Sequence, residues 1–152
     1  MMWLFLYVAM AFGGYGDPVD GLPSIEEREL HLWTNAVRVD PQAFNAEYVQ
    51  AGCNYNQFEG SEKSAKPPLY WNVDLNDAAR FHSQDMRVND HFSHDSYDGT
   101  SFSDRLSRFY TEGTIGENIA WGYSDSYQAV MQGWMCSPGH RANIMHGGYN
   151  EL

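Results

Sequence analysis

The first amphipathic pattern in the chain is a stripe of apolar residues at helical spacing. Its members are Leu30, Trp33 and Val37. Ser24 precedes the stripe and Glu27 stands three residues later, which is the arrangement of a capping box. Asp40 precedes Pro41, and the residue before a proline avoids helical backbone angles. The pattern therefore predicts a helix that begins after Ser24 and ends at about Arg38.

The same kind of pattern predicts five further helices. A short helix covers residues 42–50, with Gly52 as its terminator. A longer helix covers residues 75–88 and is capped by Asp74. The other three helices are shorter, and the residues that begin them are Thr100 or Ser101, Ser124 or Asp125, and Ser137 followed by Pro138.

One segment has the pattern of a β-strand. Residues 115–121 lie between Gly113 and Gly122 and are the one strand that the pattern predicts. No second segment of comparable strength is available to pair with them. We therefore predict an α+β fold that is rich in helix and has a small, incomplete sheet.

The first fourteen residues are almost wholly apolar and are typical of a secretory leader, with Ala9-Met10-Ala11 as a small-x-small cleavage site. The run is too short to span a bilayer, so we expect no stable membrane insertion after cleavage. No Lys or Arg precedes the run, which leaves a buried N-terminal helix or strand as the alternative. Residues 15–24 are predicted to form a linker, and residues 25–152 a single domain.

Composition and charge narrow the class of partner. The chain has 152 residues, of which 43% are hydrophobic, so it can form one domain with a real core. Its net charge of -11 repels phosphate backbones and anionic lipids, so neither nucleic acid nor an anionic membrane surface is an expected partner. Cys53 and Cys136 allow one disulfide in an exported chain, and two unpaired thiols are the alternative.

Three polar signatures in the last third of the chain carry the candidate chemistry. They contribute His94 in Phe-Ser-His, Glu117 in Gly-Glu-Asn-Ile-Ala and His140 in Ser-Pro-Gly-His-Arg. If these side chains converge, they form a facial site for zinc or another divalent cation, with one position open for water. Alternatively, Glu117 orients a histidine or acts as a general base. A structural polar cluster is the third alternative.

The remaining expectations concern the protonation of His140 and the roles of the other histidines and Arg141. His140 lies at a predicted helix N-terminus, which favours its neutral form. His82 lies on the apolar face of its helix and is expected to be a core or rim residue. His91 and His146 are expected to be exposed, and Arg141 is expected to pair with an acidic neighbour.

In order and spacing, these motifs resemble the CAP superfamily, also called the SCP domain. Asn35-x-x-Arg38 and the His-Ser-Gln-Asp-Met run at residues 82–86 complete the resemblance. It covers about residues 25–152 and is closest to the bacterial branch of cysteine-rich secretory, antigen-five and pathogenesis-related proteins. The resemblance implies an α-β-α sandwich with a central antiparallel sheet, a large cleft and an extracellular location.

The resemblance also implies a cleft tetrad of two histidines and two acidic residues. His94, Glu117 and His140 match three of the four positions, whereas Ser137 stands where eukaryotic members have the second acidic residue. Bacterial relatives continue beyond residue 152 into further strands of the sheet. The resemblance therefore implies a sheet that lacks its last strands.

These observations lead to three hypotheses about function. In the first, an exported domain binds a divalent metal ion or a small apolar ligand in its cleft without strong catalysis. In the second, it is a metal-assisted, peptidase-like hydrolase with His94, Glu117 and His140 as catalytic residues. In the third, it is a sterol-binding, lipid-binding or cell-envelope interaction module.

Overall fold

The computed structural model describes residues 22–48 and 57–152 of the chain. Helices dominate the regular structure of these residues. In chain order they are α1 (Ile25–Val39), α2 (Pro41–Tyr48), a 3₁₀ helix (Gly60–Lys63), α3 (Val73–Val88), α4 (Phe102–Leu106), α5 (Ser126–Gln128), a π-helix (Ala129–Trp134) and α6 (Pro138–Ile144). The predicted leader, the predicted terminator Gly52 and Cys53 lie outside the described residues.

Short polar side chains determine where several helices begin, as the sequence predicted. Ser24 caps α1 in a capping box: its hydroxyl accepts the backbone N–H of Glu27 at 3.2 Å, and Glu27 accepts the N–H of Ser24 at 2.7 Å. Ser101 caps α4 and Asp125 caps α5. Pro138 occupies the first turn of α6, where its missing N–H costs nothing.

Helix α3 begins earlier than the pattern predicted. Its cap is Asn72 rather than Asp74, and the Asn72 side chain accepts the backbone N–H groups of Asp74 and Leu75 at 2.8 and 3.2 Å. Both residues are good caps, so composition alone did not distinguish them. The position of Asn72 is fixed by a backbone hydrogen bond to Leu152 at 2.9 Å, which a local pattern does not contain.

The main apolar cluster packs α1 against the π-helix and α6. Its buried members are Val37, Phe58, Val130, Met131, Trp134, Met135, Ile144 and Met145. The sequence predicted an ordinary α-helix for the segment that becomes π-helical. There the backbone N–H of Met135 bonds the carbonyl of Val130, five residues back, at 2.8 Å. Val130, Met131 and Trp134 of this segment are nevertheless buried.

A second buried contact joins the 3₁₀ helix to α6. Arg141 Nε lies 2.8 Å from Glu62 Oε2, and both side chains are buried. The guanidinium also lies 4.1 Å from the centre of the Phe58 ring. The prediction that Arg141 pairs with an acidic neighbour is confirmed.

Cys136 is disulfide-bonded, so the alternative of two unpaired thiols is wrong.

The predicted central antiparallel sheet is not found in the described residues, so the predicted α-β-α sandwich is wrong for this part of the chain. Residues 114–121 belong to no strand ladder. The one β-bridge among the described residues is a parallel pair between Tyr70 and Glu151. Alternation along a segment reports which side chains are buried, but it does not supply a neighbouring strand.

Side chains take the place of a neighbouring strand along residues 114–121. Three donors from the C-terminal third of the chain bond the carbonyls of alternate residues: Tyr149 Oη to Ile115 at 3.3 Å, Asn143 Nδ2 to Glu117 at 3.2 Å, and Trp134 Nε1 to Ile119 at 3.1 Å. Each bond satisfies a backbone acceptor that a sheet would otherwise satisfy. In the described residues, the segment is therefore positioned by side chains of the C-terminal third rather than by a sheet.

Arg38 links α1 to the C-terminal residues. Its side chain is fully buried and donates only to backbone carbonyls in the described structure. The acceptors are Pro67 at 2.9 Å, Ile144 at 2.5 Å, His146 at 3.0 Å and Tyr149 at 3.4 Å. Burial lowers the pKa of this guanidinium, but several charge-assisted bonds offset the lost hydration.

We expect Arg38→Met to lower the free energy of unfolding by about 3 kcal/mol, because four backbone carbonyls lose the buried donor that they share. Urea denaturation followed by circular dichroism measures the effect. Arg28→Met is the matched control, because Arg28 is exposed on the same helix, and its effect should stay within about 0.5 kcal/mol. Equal effects of the two substitutions would contradict the proposed role of Arg38.

Candidate functional site

The structure brings His94 and Glu117 together, as the sequence predicted. His94 lies in the loop after α3, and Glu117 lies in the extended segment of residues 114–121. His94 Nδ1 is 2.9 Å from Glu117 Oε1. Because an ionised carboxylate only accepts, this contact places a proton on Nδ1. In the neutral ring Nε2 is then an acceptor, and 53% of the His94 side chain is exposed.

Arg105 of α4 holds the second oxygen of the same carboxylate. Its guanidinium pairs with Glu117 Oε2 and also donates to the His94 carbonyl at 2.7 Å. Only 2% of the Arg105 side chain is exposed, so little water competes for these bonds. Arg105 therefore fixes both partners of the His94–Glu117 pair.

Sequence reasoning missed Arg105, although the pattern contained a signal. Phe102, Arg105 and Leu106 have the i, i+3, i+4 spacing of one helix face. An arginine on the apolar stripe of a short helix is buried in this structure and needs a carboxylate partner. Glu117 supplies that carboxylate.

His82 also belongs to the site. Its side chain is 2% exposed, and Nε2 donates to the Ser93 carbonyl at 2.8 Å while lying 3.9 Å from Glu117 Oε1. The other ring nitrogen, Nδ1, is buried and has no hydrogen-bond partner among the described residues. Burial lowers the pKa of His82, with the nearby Glu117 charge acting in the opposite direction. The predicted core position is confirmed, but His82 also holds the backbone next to His94.

His140 lies in the first turn of α6 and is half-buried. Its carbonyl accepts the Asn118 side-chain amide at 3.0 Å. Burial lowers the pKa of His140, and the charge of His94 lowers it further. The lowered pKa of His140 agrees with the predicted neutral form. Its main cause is burial, however, rather than the helix N-terminus. The Asn118 contact places the His140 backbone next to the segment that carries Glu117.

Within residues 22–48 and 57–152, no three His, Cys, Asp or Glu side chains are grouped closely enough to hold a metal ion. Glu117 offers a reason, because its two oxygens face His94 and Arg105. A carboxylate held in this way suits the partner of a metal-binding histidine. The residues fit a site with imidazole ligands and an outer carboxylate better than a site in which Glu117 is a direct ligand.

Two aromatic rings lie close in sequence to the His94–Glu117 pair. Phe92 and Trp121 pack edge to face, with ring centres 5.5 Å apart. Phe92 is two residues before His94, and Trp121 is four residues after Glu117. The aromatic contact therefore joins the same two segments that the polar contact joins, and it fixes their relative position.

The described residues also line a polar cavity of about 230 Å³. Its lining residues are Asn72, Asp74, Phe109, Tyr110, Thr111, Glu112 and Glu151. Tyr110 and Asn72 both donate to Glu151, at 2.8 Å each. None of the three predicted site residues lines this cavity, so it is separate from the His94–Glu117 pair.

Comparisons with known proteins establish the family. The family model described as the cysteine-rich secretory protein family, CAP, matches residues 33–152. The chain belongs to this family. Among solved structures, an extracellular protein containing an SCP domain from Bacillus anthracis str. Ames is 41% identical, with a TM-score of 0.54 over 57% of this chain and 29% of its own.

Two Bacillus subtilis (strain 168) proteins are also similar. The uncharacterized membrane protein YlbC is 39% identical over 85 residues, which are 55% of this chain and 24% of YlbC. The uncharacterized protein YkwD is 35% identical over 92 residues, which are 60% of this chain and 35% of YkwD. The match therefore spans about a quarter to a third of each relative. No helix in the described part of our chain is long and apolar enough to cross a membrane.

We expect the stability of the protein to fall as the pH falls below 6.5, the ordinary pKa of histidine. The pKa of His82 is lowered in the folded state, so the unfolded chain binds more protons in this range and is favoured there. His82→Gln keeps a donor for the Ser93 carbonyl but does not titrate. Urea midpoints measured from pH 7.5 to pH 5.0 should therefore change less in His82→Gln than in the wild type.

His91→Gln is the control for this experiment, because His91 lies in the loop after α3 and bonds the Asp95 carbonyl rather than the Ser93 carbonyl. Its midpoints should follow those of the wild type across the range. If His82→Gln and the wild type show the same dependence on pH, the buried His82 ring is not the source of the acid sensitivity.

Proposed function

We propose that this chain carries an extracellular CAP domain that binds a divalent cation, with zinc as the first candidate. His94 and His140 are the proposed ligands, and Glu117 is the outer partner that orients His94. The single observation that carries the proposal is the 2.9 Å contact between His94 Nδ1 and Glu117 Oε1. That contact leaves the exposed Nε2 available, and metal-binding histidines commonly donate their other N–H to a carboxylate.

The state of His140 supports the same proposal. A neutral imidazole binds metal, and the pKa of His140 is lowered by burial and by the neighbouring His94. No side-chain hydrogen bond to other described residues occupies the His140 ring. A bound cation would supply positive charge that polarises an oxygen of a further ligand.

Two observations support the proposed location outside the cytoplasm. Cys136 is disulfide-bonded, and such bonds persist mainly in oxidising compartments. The solved relative from Bacillus anthracis is described as an extracellular protein. Because one Bacillus subtilis relative is called a membrane protein, the proposal includes both a released and a membrane-tethered domain.

Isothermal titration calorimetry of the full chain with zinc chloride tests the proposal. We expect one ion per chain, with affinity lowered at least tenfold by His94→Ala and by His140→Ala because each removes one imidazole. Glu117→Gln should weaken binding about 10- to 100-fold, as is typical when a ligand loses its outer partner.

His91→Ala is the matched control, since His91 bonds a backbone carbonyl in the loop and has no contact with Glu117. It should bind zinc as the wild type does. The proposal fails if the wild type takes up no stoichiometric zinc, or if His94→Ala and His140→Ala bind it unchanged. Metal-dependent cleavage of a peptide, lost in Glu117→Gln, would instead support the hydrolase hypothesis.

A further inference from the structure

The two oxygens of the Glu117 carboxylate face different partners. Oε1 lies 2.9 Å from His94 Nδ1, and Oε2 pairs with the guanidinium of Arg105. His82 Nε2 lies 3.9 Å from Oε1, but it donates its proton to the Ser93 carbonyl. Only 17% of the Glu117 side chain is exposed, so little water competes for these contacts. The carboxylate is therefore held on one side of the His94 ring, the side of Nδ1.

The shape of the imidazole ring separates Glu117 from a cation at the other ring nitrogen. The lone pair of His94 Nε2 points away from the Nδ1 side of the ring. A carboxylate that accepts the Nδ1 proton therefore does not face a cation bound at Nε2 in the arrangement that the structure shows. Glu117 could become a direct ligand only if its carboxylate moved away from Nδ1 or if the His94 ring turned.

Arg105 opposes both of these movements. Its guanidinium holds Glu117 Oε2 and donates to the His94 carbonyl at 2.7 Å and to Ser96 Oγ at 3.4 Å. The guanidinium carbon also lies 5.7 Å from the centre of the Phe102 ring. If Glu117 moved, the buried charge of Arg105 would lose its carboxylate, which is a strongly unfavourable change. Arg105 therefore keeps Glu117 in the role of an outer partner.

A second carboxylate beside His94 is also bonded to α4. Asp95 follows His94 in the chain, and its Oδ1 accepts the backbone N–H of Phe102 at 3.2 Å. Helix α4 therefore holds carboxylates from two residues near the proposed cation site. The protein ligands that we propose there are the imidazoles of His94 and His140, and both are nitrogen donors.

The kind of donor decides which cation a site prefers. Imidazole nitrogen suits zinc, copper, iron and nickel, whereas carboxylate oxygen suits magnesium, calcium and manganese. A site that keeps Glu117 outside the coordination sphere is therefore poorer for manganese than a site that includes it.

We infer that Arg105 determines the metal specificity of the proposed cation site, because it holds Glu117 at His94 Nδ1 and away from the cation. Arg105 is thus a positioning residue that acts through Glu117 and touches no ligand of its own. This inference rests on the proposed function and deepens it, since it names the residue that makes the site selective for zinc over manganese.

Comparison of zinc and manganese binding by the full chain tests the inference. Zinc binds most sites more tightly than manganese, so the informative quantity is the change in the ratio of the two affinities between variants. Isothermal titration calorimetry measures zinc binding, and electron paramagnetic resonance of free Mn²⁺ measures manganese binding. In Arg105→Met, Glu117 is released to turn towards the cation. Manganese affinity should therefore rise about tenfold, and the zinc-to-manganese ratio should fall by at least that factor.

Two further variants show whether the change comes from Glu117. Arg108→Met is the matched control, because Arg108 is exposed, carries the same charge and bonds Thr100 Oγ1 at 3.2 Å. Its affinity ratio should stay within about twofold of the wild type. Arg105→Met combined with Glu117→Gln removes the released carboxylate, so the gain in manganese affinity should disappear. An unchanged ratio in Arg105→Met, an equal change in Arg108→Met, or a gain that persists in the double variant overturns the inference.

A measurement on the wild type makes the test independent of whether Arg105→Met folds. Two-bond ¹H–¹⁵N correlation spectra of the histidine rings, recorded at about pH 8, where an ordinary imidazole is neutral, identify the protonated nitrogen. We expect His94 to carry its proton on Nδ1 both without metal and with zinc, because Glu117 accepts that proton. A proton on Nε2 in the metal-free protein, or loss of the Nδ1 proton when zinc binds, overturns the inference.

The outcomes separate this inference from the zinc proposal. If the wild type binds zinc through His94 and His140 but Arg105→Met has the same affinity ratio, the zinc proposal stands and the role assigned to Arg105 is wrong. If the wild type binds no zinc, the zinc proposal fails and the selectivity assigned to Arg105 fails with it. The spectrum of the metal-free wild type then still shows whether Glu117 holds the Nδ1 proton of His94.

Discussion

The candidate site depends on the buried ion pair between Arg105 and Glu117. Only 2% of the Arg105 side chain is exposed, so its guanidinium has lost most of its hydration. A carboxylate partner is therefore required to stabilise the buried charge. Arg105 also donates to the carbonyl of His94, and Glu117 accepts from the ring of the same histidine. The Arg105 guanidinium therefore fixes the backbone of His94 directly and the imidazole of His94 through Glu117. The exposed histidine has little freedom left, which is what a preorganised binding group needs.

Local sequence signals predicted the helices well because helix caps act over a few residues. Ser24, Ser101 and Asp125 each cap the helix that follows them, and Pro138 begins the last one. Helix α3 begins earlier than predicted because Asn72 is positioned by a hydrogen bond to a residue near the end of the sequence. The prediction of a central sheet was wrong for the same physical reason. Strand pairing is a non-local property, and alternation along one segment does not determine it.

The site was predictable in part. The motifs predicted the contact between His94 and Glu117. They also predicted that His140 favours its neutral form, but the main cause of its lowered pKa is burial rather than the helix N-terminus. His82 was placed correctly in the core, but its contact with the site depends on how α3 packs. Arg105 was missed because burial of a charged residue is decided by its partner, and the partner lies twelve residues away.

The buried Arg38 has a consequence for how the chain acquires its structure. Its side chain, on the first helix, bonds the carbonyl of Tyr149, 111 residues further along the sequence. During synthesis, that carbonyl emerges only after nearly all of the described residues, so the first helix is complete long before its guanidinium can be satisfied. Contacts of such high sequence separation slow folding, because a large loop must close before they contribute stability. The core of this domain is therefore expected to assemble late, in one step, rather than progressively from the N-terminus.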